Sequence, residues 1–307
     1  MAELSKEKFK IIGCEGFNAE EISRPNLTYF QDAWRRLKKN KVAVFSLFLL
    51  LFLAIMCIIA PYFRSKFGIN EVDTAVRNHK PNSVHWFGTD SIGRDLWVRV
   101  WYGTRSSMII GLAGAAIELI IGSLYGGISA YMGGIVDDIM MRIVEILNSI
   151  PYLLVVLFIM IVMGQRGIIP MIIALAATGW TGMARLIRGQ ILSLKEQEYV
   201  LASKALGGSP ARVILKHLLP NTIGIIIVDI TFAIPSYIFA EAFLSYIGLG
   251  IQSPNTSLGA LCSSGQANFQ FYPYQLFWPS LIICLIMLAF NLLGDGLNDA
   301  LDPKQRQ

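Results

Sequence analysis

The chain has 307 residues, of which 54% are hydrophobic and only 15% are charged. An ordinary soluble domain carries about 25% charged residues, so this composition excludes a soluble globular protein and indicates a membrane protein. The formal net charge of +5 is explained by basic residues at a membrane surface and does not require a nucleic-acid partner.

Six apolar runs are long enough to cross the roughly 30 Å hydrocarbon core of a bilayer as helices. They lie near residues 42–60, 106–131, 143–163, 167–186, 222–246 and 276–293. Because lipid provides no hydrogen-bond partner for an exposed backbone amide, we predict that each run is helical. Pro151, Pro235 and Pro279 should bend three of these spans. The sequence therefore predicts an all-α fold with six transmembrane helices.

The distribution of basic residues predicts the orientation. Of the 26 lysines and arginines, 18 fall in segments that are cytoplasmic if the N-terminus is inside. We therefore expect a multi-pass membrane protein with both termini in the cytoplasm. The predicted segments are an N-terminal segment at 1–41, a first transmembrane anchor at 42–61, an extracytoplasmic segment at 62–105, a helical core at 106–297 with a cytoplasmic loop at 189–221, and a C-terminal tail at 298–307.

Two amphipathic segments flank the first span. Residues 29–41, YFQDAWRRLKKNK, interleave aromatic and basic residues and predict an interfacial helix that meets lipid headgroups. In residues 85–105, Asp90 or Ser91 is a suitable N-cap for a helix with Trp97 and Trp101 on one face. We expect this second helix to lie flat at the outer interface as a structural collar.

Small and acidic residues stand out within the apolar runs. Gly122 and Gly126 form a GxxxG pair, which predicts close packing of the second span against another helix. Glu118, Asp229 and Glu241 also lie in these runs and should face protein or water, because a charge facing lipid costs several kcal/mol. All three are candidates for a transport pathway. For Glu241 a packing role, through hydrogen bonds to a neighbouring span, is favoured over direct contact with a cargo.

Catalytic signatures are missing from the sequence. Its three histidines lie in separate segments, and it contains no HExxH, GxSxG or Walker A pattern. We therefore expect no catalytic site, metal site or cofactor.

Residues 198–221, EYVLASKALGGSPARVILKHLLPN, form a polar loop between two apolar runs. We predict one short helix over 195–206, a sharp turn at Gly207 and Gly208, and a second helix from Ser209 and Pro210 to about Leu218, stopped by Pro220. A simple connection between helices needs only about 2–8 residues. The pattern alone leaves a docking surface and a plain connection both open.

The spacing in this loop resembles the "EAA" loop of permease subunits of ABC importers. Leu201, Ala202 and Ser203 fill the triplet, Gly207 the glycine, and His217, Leu219 and Pro220 the closing positions. Leu201 replaces the usual glutamate, and Glu198 lies one turn earlier. The resemblance implies that the following residues couple the chain to an ATPase: Glu198, Ala202, Ser203, Gly207, Gly208, Arg212, His217, Leu219 and Pro220.

Four further segments resemble the C-type permease of oligopeptide and dipeptide importers: HWFGTDSIGRD (85–95), MMRIVEILNSIP (140–151), AFLSYIGLG (242–250) and GDGLNDALDP (294–303). The resemblance implies a non-enzymatic subunit that forms half of a translocation pathway. It also implies a second homologous permease subunit, two ATP-binding cassette ATPase subunits and an extracytoplasmic peptide-binding protein as partners. Two alternatives remain, an importer of nickel chelates and a proton-coupled secondary transporter that uses the intramembrane acids.

Overall fold

The computed structural model describes residues 29–64, 67–252 and 254–302. Residues 1–28 of the predicted N-terminal segment and residues 303–307 of the predicted C-terminal tail lie outside these ranges. The described residues form a helical bundle. Its helices are α1 Tyr29–Lys39, α2 Lys41–Ile59, α3 Leu96–Ile117, α4 Ser123–Met132, α5 Gly134–Ser149, α6 Tyr152–Met163, α7 Ile168–Leu194, α8 Glu198–Ala205, α9 Pro210–Arg212, α10 Leu219–Tyr246, α11 Leu258–Ala267 and α12 Tyr274–Leu301. Two π-helical turns, Glu118–Gly122 and Val213–Leu218, join α3 to α4 and α9 to α10.

Five of the helical stretches are long and apolar enough to cross a membrane. They are α2, the continuous stretch Leu96–Met132, α7, the continuous stretch Pro210–Tyr246, and α12. The helices α5 and α6 make a sixth candidate if the bent pair crosses as one span. All six predicted apolar runs thus lie in helical segments, which confirms the predicted all-α class.

Proline affects these helices differently. At Pro151 the chain breaks between α5 and α6, whose axes differ by 86°. The preceding residue, Ile150, is extended with φ −82° and ψ 125° because a proline excludes the helical conformation from the residue before it. The third predicted run is therefore not one straight helix. Pro235 and Pro279 instead lie inside the unbroken helices α10 and α12.

The prediction of a separate interfacial helix capped by Asp90 or Ser91 was wrong. Asp90 accepts hydrogen bonds from Arg94 Nε at 2.6 Å and from two backbone amides, which closes a turn instead. Asp95 is the N-cap, since its side chain accepts from the amide of Val98 at 3.1 Å. The helix that follows runs from Leu96 to Ile117 without a break, and so it belongs to the second span.

The two tryptophans that we expected at the outer interface lie in the protein interior. Trp97 and Trp101 are both buried, and the Trp97 indole donates to the carbonyl oxygen of Ala60 at 3.1 Å. Phe87 stacks on Trp278 of α12 with ring centroids 4.0 Å apart. The segment before α3 is thereby packed over the end of the bundle where α2 ends and α3 and α12 begin.

We call that end the distal end, and the opposite one the proximal end. At the proximal end, Leu37 of α1, Ala43 of α2 and Ala300 of α12 share one apolar cluster. The loop after α7 also lies there, because Lys195 Nζ donates to the carbonyl oxygen of Ala130, near the end of α4, at 3.3 Å. The proximal end of the bundle therefore carries α1, the 198–221 loop and the last residues of α12.

The glycine pair of the second span packs against α7. A Cβ atom on Gly122 would lie 2.6 Å from Met183 Cβ, and one on Gly126 would lie 2.2 Å from the Ala184 carbonyl oxygen. Such contacts are too close for any larger residue. The predicted close packing of Gly122 and Gly126 against another helix is confirmed.

Candidate coupling surface and central cavity

The loop over residues 198–221 is built from α8, a tight turn and α9. The amide of Gly207 donates to the Lys204 carbonyl at 3.0 Å, and that of Gly208 donates to the Ser203 carbonyl at 2.9 Å. These bonds end α8 in a Schellman motif, which places Gly207 at a left-handed φ of +78°. The Ser209 side chain accepts from the Arg212 amide at 3.4 Å and caps α9. The predicted arrangement of two helices around a glycine turn is confirmed, but the first helix begins at Glu198 and not at 195.

Helix α9 does not stop at Pro220, contrary to the prediction. The helix runs on through the turn Val213–Leu218 into α10. In this turn the Leu219 amide donates to the Ile214 carbonyl, five residues back, so the helix is locally widened. Pro220 is the second residue of α10 but lies inside this continuous helix, and because it has no amide proton it cannot donate to a carbonyl of the preceding turn.

The loop has an anchored side and an exposed side. Val200, Val213 and Leu218 are fully buried and fix the loop to the bundle. Three leucines on the other side are exposed: Leu201 by 48%, Leu206 by 88% and Leu215 by 57%. We call the exposed side the coupling surface and define it by these three leucines and Gly207.

The structure brings the predicted coupling residues into this one loop. Those that are exposed are Glu198, Ala202, Gly207, Arg212 and Pro220. Those that are half-buried are Ser203, Gly208, His217 and Leu219. The exposed leucines Leu206 and Leu215 were not among the predicted residues. Their signal was present in the sequence as apolar side chains in a loop otherwise rich in small and charged residues.

Basic side chains connect the loop, and the end of α7 that leads into it, to neighbouring helices. Lys204 of α8 lies over the Tyr131 ring of α4, with Nζ 5.1 Å from the ring centroid. At the end of α7, Arg188 makes two hydrogen bonds to Asp137 of α5, at 2.6 and 2.7 Å. Asp137 also accepts from the hydroxyl of Ser129 in α4. A displacement of the loop would thus be transmitted to α4, α5 and α7 together.

A cavity of about 360 Å³ lies among α6, α7, α10 and the π-helical turn that begins at Glu118. Its lining residues are Glu118, Tyr152, Leu175, Thr178, Gly179, Asp229, Phe232, Ala233, Ser236, Tyr237 and Ala240. Two of the three predicted pathway acids, Glu118 and Asp229, therefore share one cavity, which we call the central cavity. Tyr237 and Tyr152 were missed. The spacing of Asp229, Ala233, Ser236, Tyr237 and Ala240 along one face of α10 is the sequence signal that could have found the site.

Glu241 lies elsewhere, inside the packed interior with 0% exposure. Its carboxylate accepts hydrogen bonds from the hydroxyls of Ser107 and Ser245, each at 2.7 Å. Ser107 also accepts from the amide of Leu258 at 3.3 Å, so this network joins α3, α10 and the start of α11. The geometry favours the packing role of Glu241 over a place on the pathway.

Comparison with known proteins identifies the family. A family model described as "Binding-protein-dependent transport system inner membrane component" matches residues 118–307. The chain belongs to this family. A second model, "N-terminal TM domain of oligopeptide transport permease C", matches residues 28–81 and places the chain among the C-type permeases of the binding-protein-dependent transport family.

Curated members of the transport family resemble the whole chain. The dipeptide transport system permease protein DppC of Bacillus subtilis is 51% identical over 290 residues, covering 94% of this chain and 90% of its own length. The oligopeptide transport system permease protein OppC of the same organism is 44% identical over 307 residues, covering 100% of both chains. OppC of Escherichia coli is 41% identical over 305 residues and 99% of both chains.

A solved structure shows the same fold. A chain of the MetNI methionine ABC transporter, in an inward-facing conformation, superposes with a TM-score of 0.50 at 18% sequence identity. The match covers 66% of this chain and 96% of that chain. The bundle described above is thus the ABC importer permease fold.

Proposed function

We propose that this chain is one transmembrane half of an ATP-driven peptide importer in the cytoplasmic membrane. Membership of the transport family and the dipeptide and oligopeptide permeases among its relatives support this function. The names of those relatives favour peptide cargo over a nickel chelate. The observation that carries the proposal is the coupling surface, an exposed loop with three exposed leucines at one end of a membrane bundle.

We propose that the proximal end faces the cytoplasm. The basic helix α1 and the 198–221 loop lie at this end, in agreement with the excess of lysine and arginine on cytoplasmic segments. Trp34 and Lys38 of α1 make a cation–π contact, with Nζ 5.2 Å from the ring centroid, of the kind expected at a headgroup interface. The distal end then faces the extracytoplasmic binding protein.

The importer requires four kinds of partner around this subunit. We propose a homologous second permease beside it, two ATP-binding cassette ATPases against the coupling surface, the peptide-binding protein at the distal end, and lipid around the bundle. Hydrolysis of ATP occurs in the ATPase subunits. This chain contributes one half of the pathway and the mechanical connection.

Coupling follows from the contacts of the loop. Closure of the ATPases moves the coupling surface, and the contacts of Lys204 with Tyr131 and of Arg188 with Asp137 carry the displacement into α4, α5 and α7. Such a rigid-body change shifts the bundle between inward-facing and outward-facing states because the ATPases contact each state differently. The central cavity, with Glu118 and Asp229, then forms part of the pathway that changes access.

The test is reconstitution in proteoliposomes of the complex of both permeases and both ATPases, together with the peptide-binding protein. We expect uptake of a labelled peptide that requires ATP and the binding protein and that stops when orthovanadate is added. Uptake that persists with orthovanadate and follows an imposed proton gradient would refute the proposal and identify a secondary transporter.

A further inference from the structure

The central cavity contains two carboxyl groups that no basic side chain of the described residues pairs with. Glu118 is 8% exposed and Asp229 is half-buried, and both line the cavity. Across 29–64, 67–252 and 254–302, neither carboxylate takes part in an ion pair. A buried carboxyl group is ordinarily either protonated or paired with a cation, so a cationic ligand would find two partners in this cavity.

A tyrosine hydroxyl in the same cavity also has an open hydrogen-bonding position. Tyr237 is 7% exposed, and its hydroxyl makes no hydrogen bond of acceptable geometry although it lies beside Glu118. The ring is fixed against two glycines, because a Cβ on Gly179 would lie 1.9 Å from the Tyr237 hydroxyl oxygen and one on Gly114 would lie 3.0 Å from the ring. A buried hydroxyl without a partner costs free energy, and a ligand in the cavity would supply the partner.

The size and lining of the cavity favour an organic cation. Its volume of about 360 Å³ is far larger than the ~30 Å³ share of one water molecule. Tyr152 and Phe232 add aromatic rings, which attract ammonium groups. In the part of the chain that the structure describes, no group of three or more His, Cys, Asp or Glu residues could hold a metal ion.

The cavity also lies at the depth that a pathway site requires. Asp229 is the eleventh residue of the 28-residue helix α10, which is about 42 Å long. The site therefore lies partway along the length of the bundle, away from both ends. A cargo that crosses the bundle would pass close to these side chains.

We propose that the central cavity binds the protonated α-amino end of the peptide cargo, an inference that rests on the proposed function. Glu118 and Asp229 accept hydrogen bonds from the ammonium group, and the Tyr237 hydroxyl donates to the first peptide carbonyl. This arrangement recognises a feature common to all unmodified peptides. It needs no particular side chain and so suits an importer of varied peptides.

Carbodiimide labelling tests occupancy directly. The assembled complex is treated with a membrane-permeant carbodiimide, and adducts on Glu118 and Asp229 are measured by mass spectrometry. We expect a peptide with a free amino end to slow the labelling of both residues several-fold and its N-acetylated form to leave it unchanged. The exposed Asp138 serves as the internal control, and its labelling should not change.

Uptake by variants tests the same site. We expect Glu118→Gln and Tyr237→Phe each to lower uptake of the free peptide roughly tenfold, since each loses a hydrogen bond to the cargo. Glu145→Gln is the matched control, because Glu145 is exposed and pairs with Arg142 away from the cavity. Normal assembly of each variant complex is verified by gel filtration.

The outcomes separate this inference from the proposed function. Suppose that the wild-type complex imports peptide but that the free and acetylated peptides protect Glu118 and Asp229 from carbodiimide equally, or not at all. This result would overturn the amine site and leave the proposed function standing. Protection by sodium ions alone would identify a metal-cation site and overturn the inference as well. A wild-type complex that imports no peptide would overturn both.

Discussion

Gly207 offers the sharpest test of the coupling surface. The residue adopts φ +78°, and a Cβ at this position would meet nothing within 4 Å. Substitution therefore creates no clash inside the chain and costs only the left-handed conformation, about 1–2 kcal/mol. That cost lowers the population of the turn by a factor of about 5–30. A tryptophan would in addition project from the coupling surface into the space that a docked ATPase occupies.

We expect Gly207→Trp to uncouple import while Gly207→Ala retains part of it. Gly164→Trp is the matched control, because Gly164 is also exposed, has φ +61° and would place a Cβ with no other atom within 4 Å, but lies at the end of α6, outside the loop. The assay compares peptide uptake with ATP hydrolysis in purified complexes of equal subunit content. Normal uptake by a fully assembled Gly207→Trp complex would refute the reasoning.

Three further predictions follow from contacts inside the bundle. Glu241→Gln should leave the relative uptake of cationic and neutral peptides unchanged, and a selective loss of cationic peptides would return Glu241 to the pathway. Asp137→Asn should weaken the two hydrogen bonds from Arg188 and lower the stability by roughly 1–3 kcal/mol, seen as a lower melting temperature in detergent. Gly126→Leu should prevent α4 from packing on α7, because its Cβ would approach the Ala184 carbonyl to 2.2 Å, and should remove the protein from the membrane fraction; normal membrane levels would contradict this.

Hydrophobicity alone predicted most of the helical bundle. Apolar runs of about 20 residues can only be helices in lipid, so the spans could be located without any knowledge of their neighbours. The glycines at 122 and 126 also had a local meaning, since small residues at this spacing serve close helix packing. These features depend on the solvent and on short-range sequence, both of which are visible in the chain itself.

The errors came from contacts that residue type does not specify. Pro220 looked like a stop signal, but the turn Val213–Leu218 absorbed it by widening the helix. Asp90 looked like a helix cap, but Arg94 and nearby amides engaged it in a turn. Neither outcome could be read from the sequence, because each depends on which hydrogen-bond partner the folded chain supplies.

The sequence predicted only part of the central cavity, because the contacts among its side chains depend on the fold. Glu118 and Asp229 were identified because an acid in an apolar run is costly wherever it lies. Their separation from Glu241 was not visible, since that depends on Ser107 and Ser245 meeting Glu241 in three dimensions. The role of Tyr237 was hidden as well, because an apolar span accepts a tyrosine without any functional reason.

The widened turn at Val213–Leu218 affects which insertions and deletions of residues the chain can tolerate near the coupling surface. Leu215 of the coupling surface lies in this turn, and the same continuous helix carries the Asp229 face of the cavity. Each residue of an α-helix advances the direction of its side chains by about 100°. Because a π-helical turn holds one residue more than the α-helical turn that would replace it, removal of one residue from Val213–Leu218 would restore a regular α-helix and leave the flanking segments in register. Removal of one residue from α10 between this turn and Asp229 would instead rotate Asp229 by that angle relative to the coupling surface. The chain should therefore tolerate a deletion in the widened turn better than one in α10.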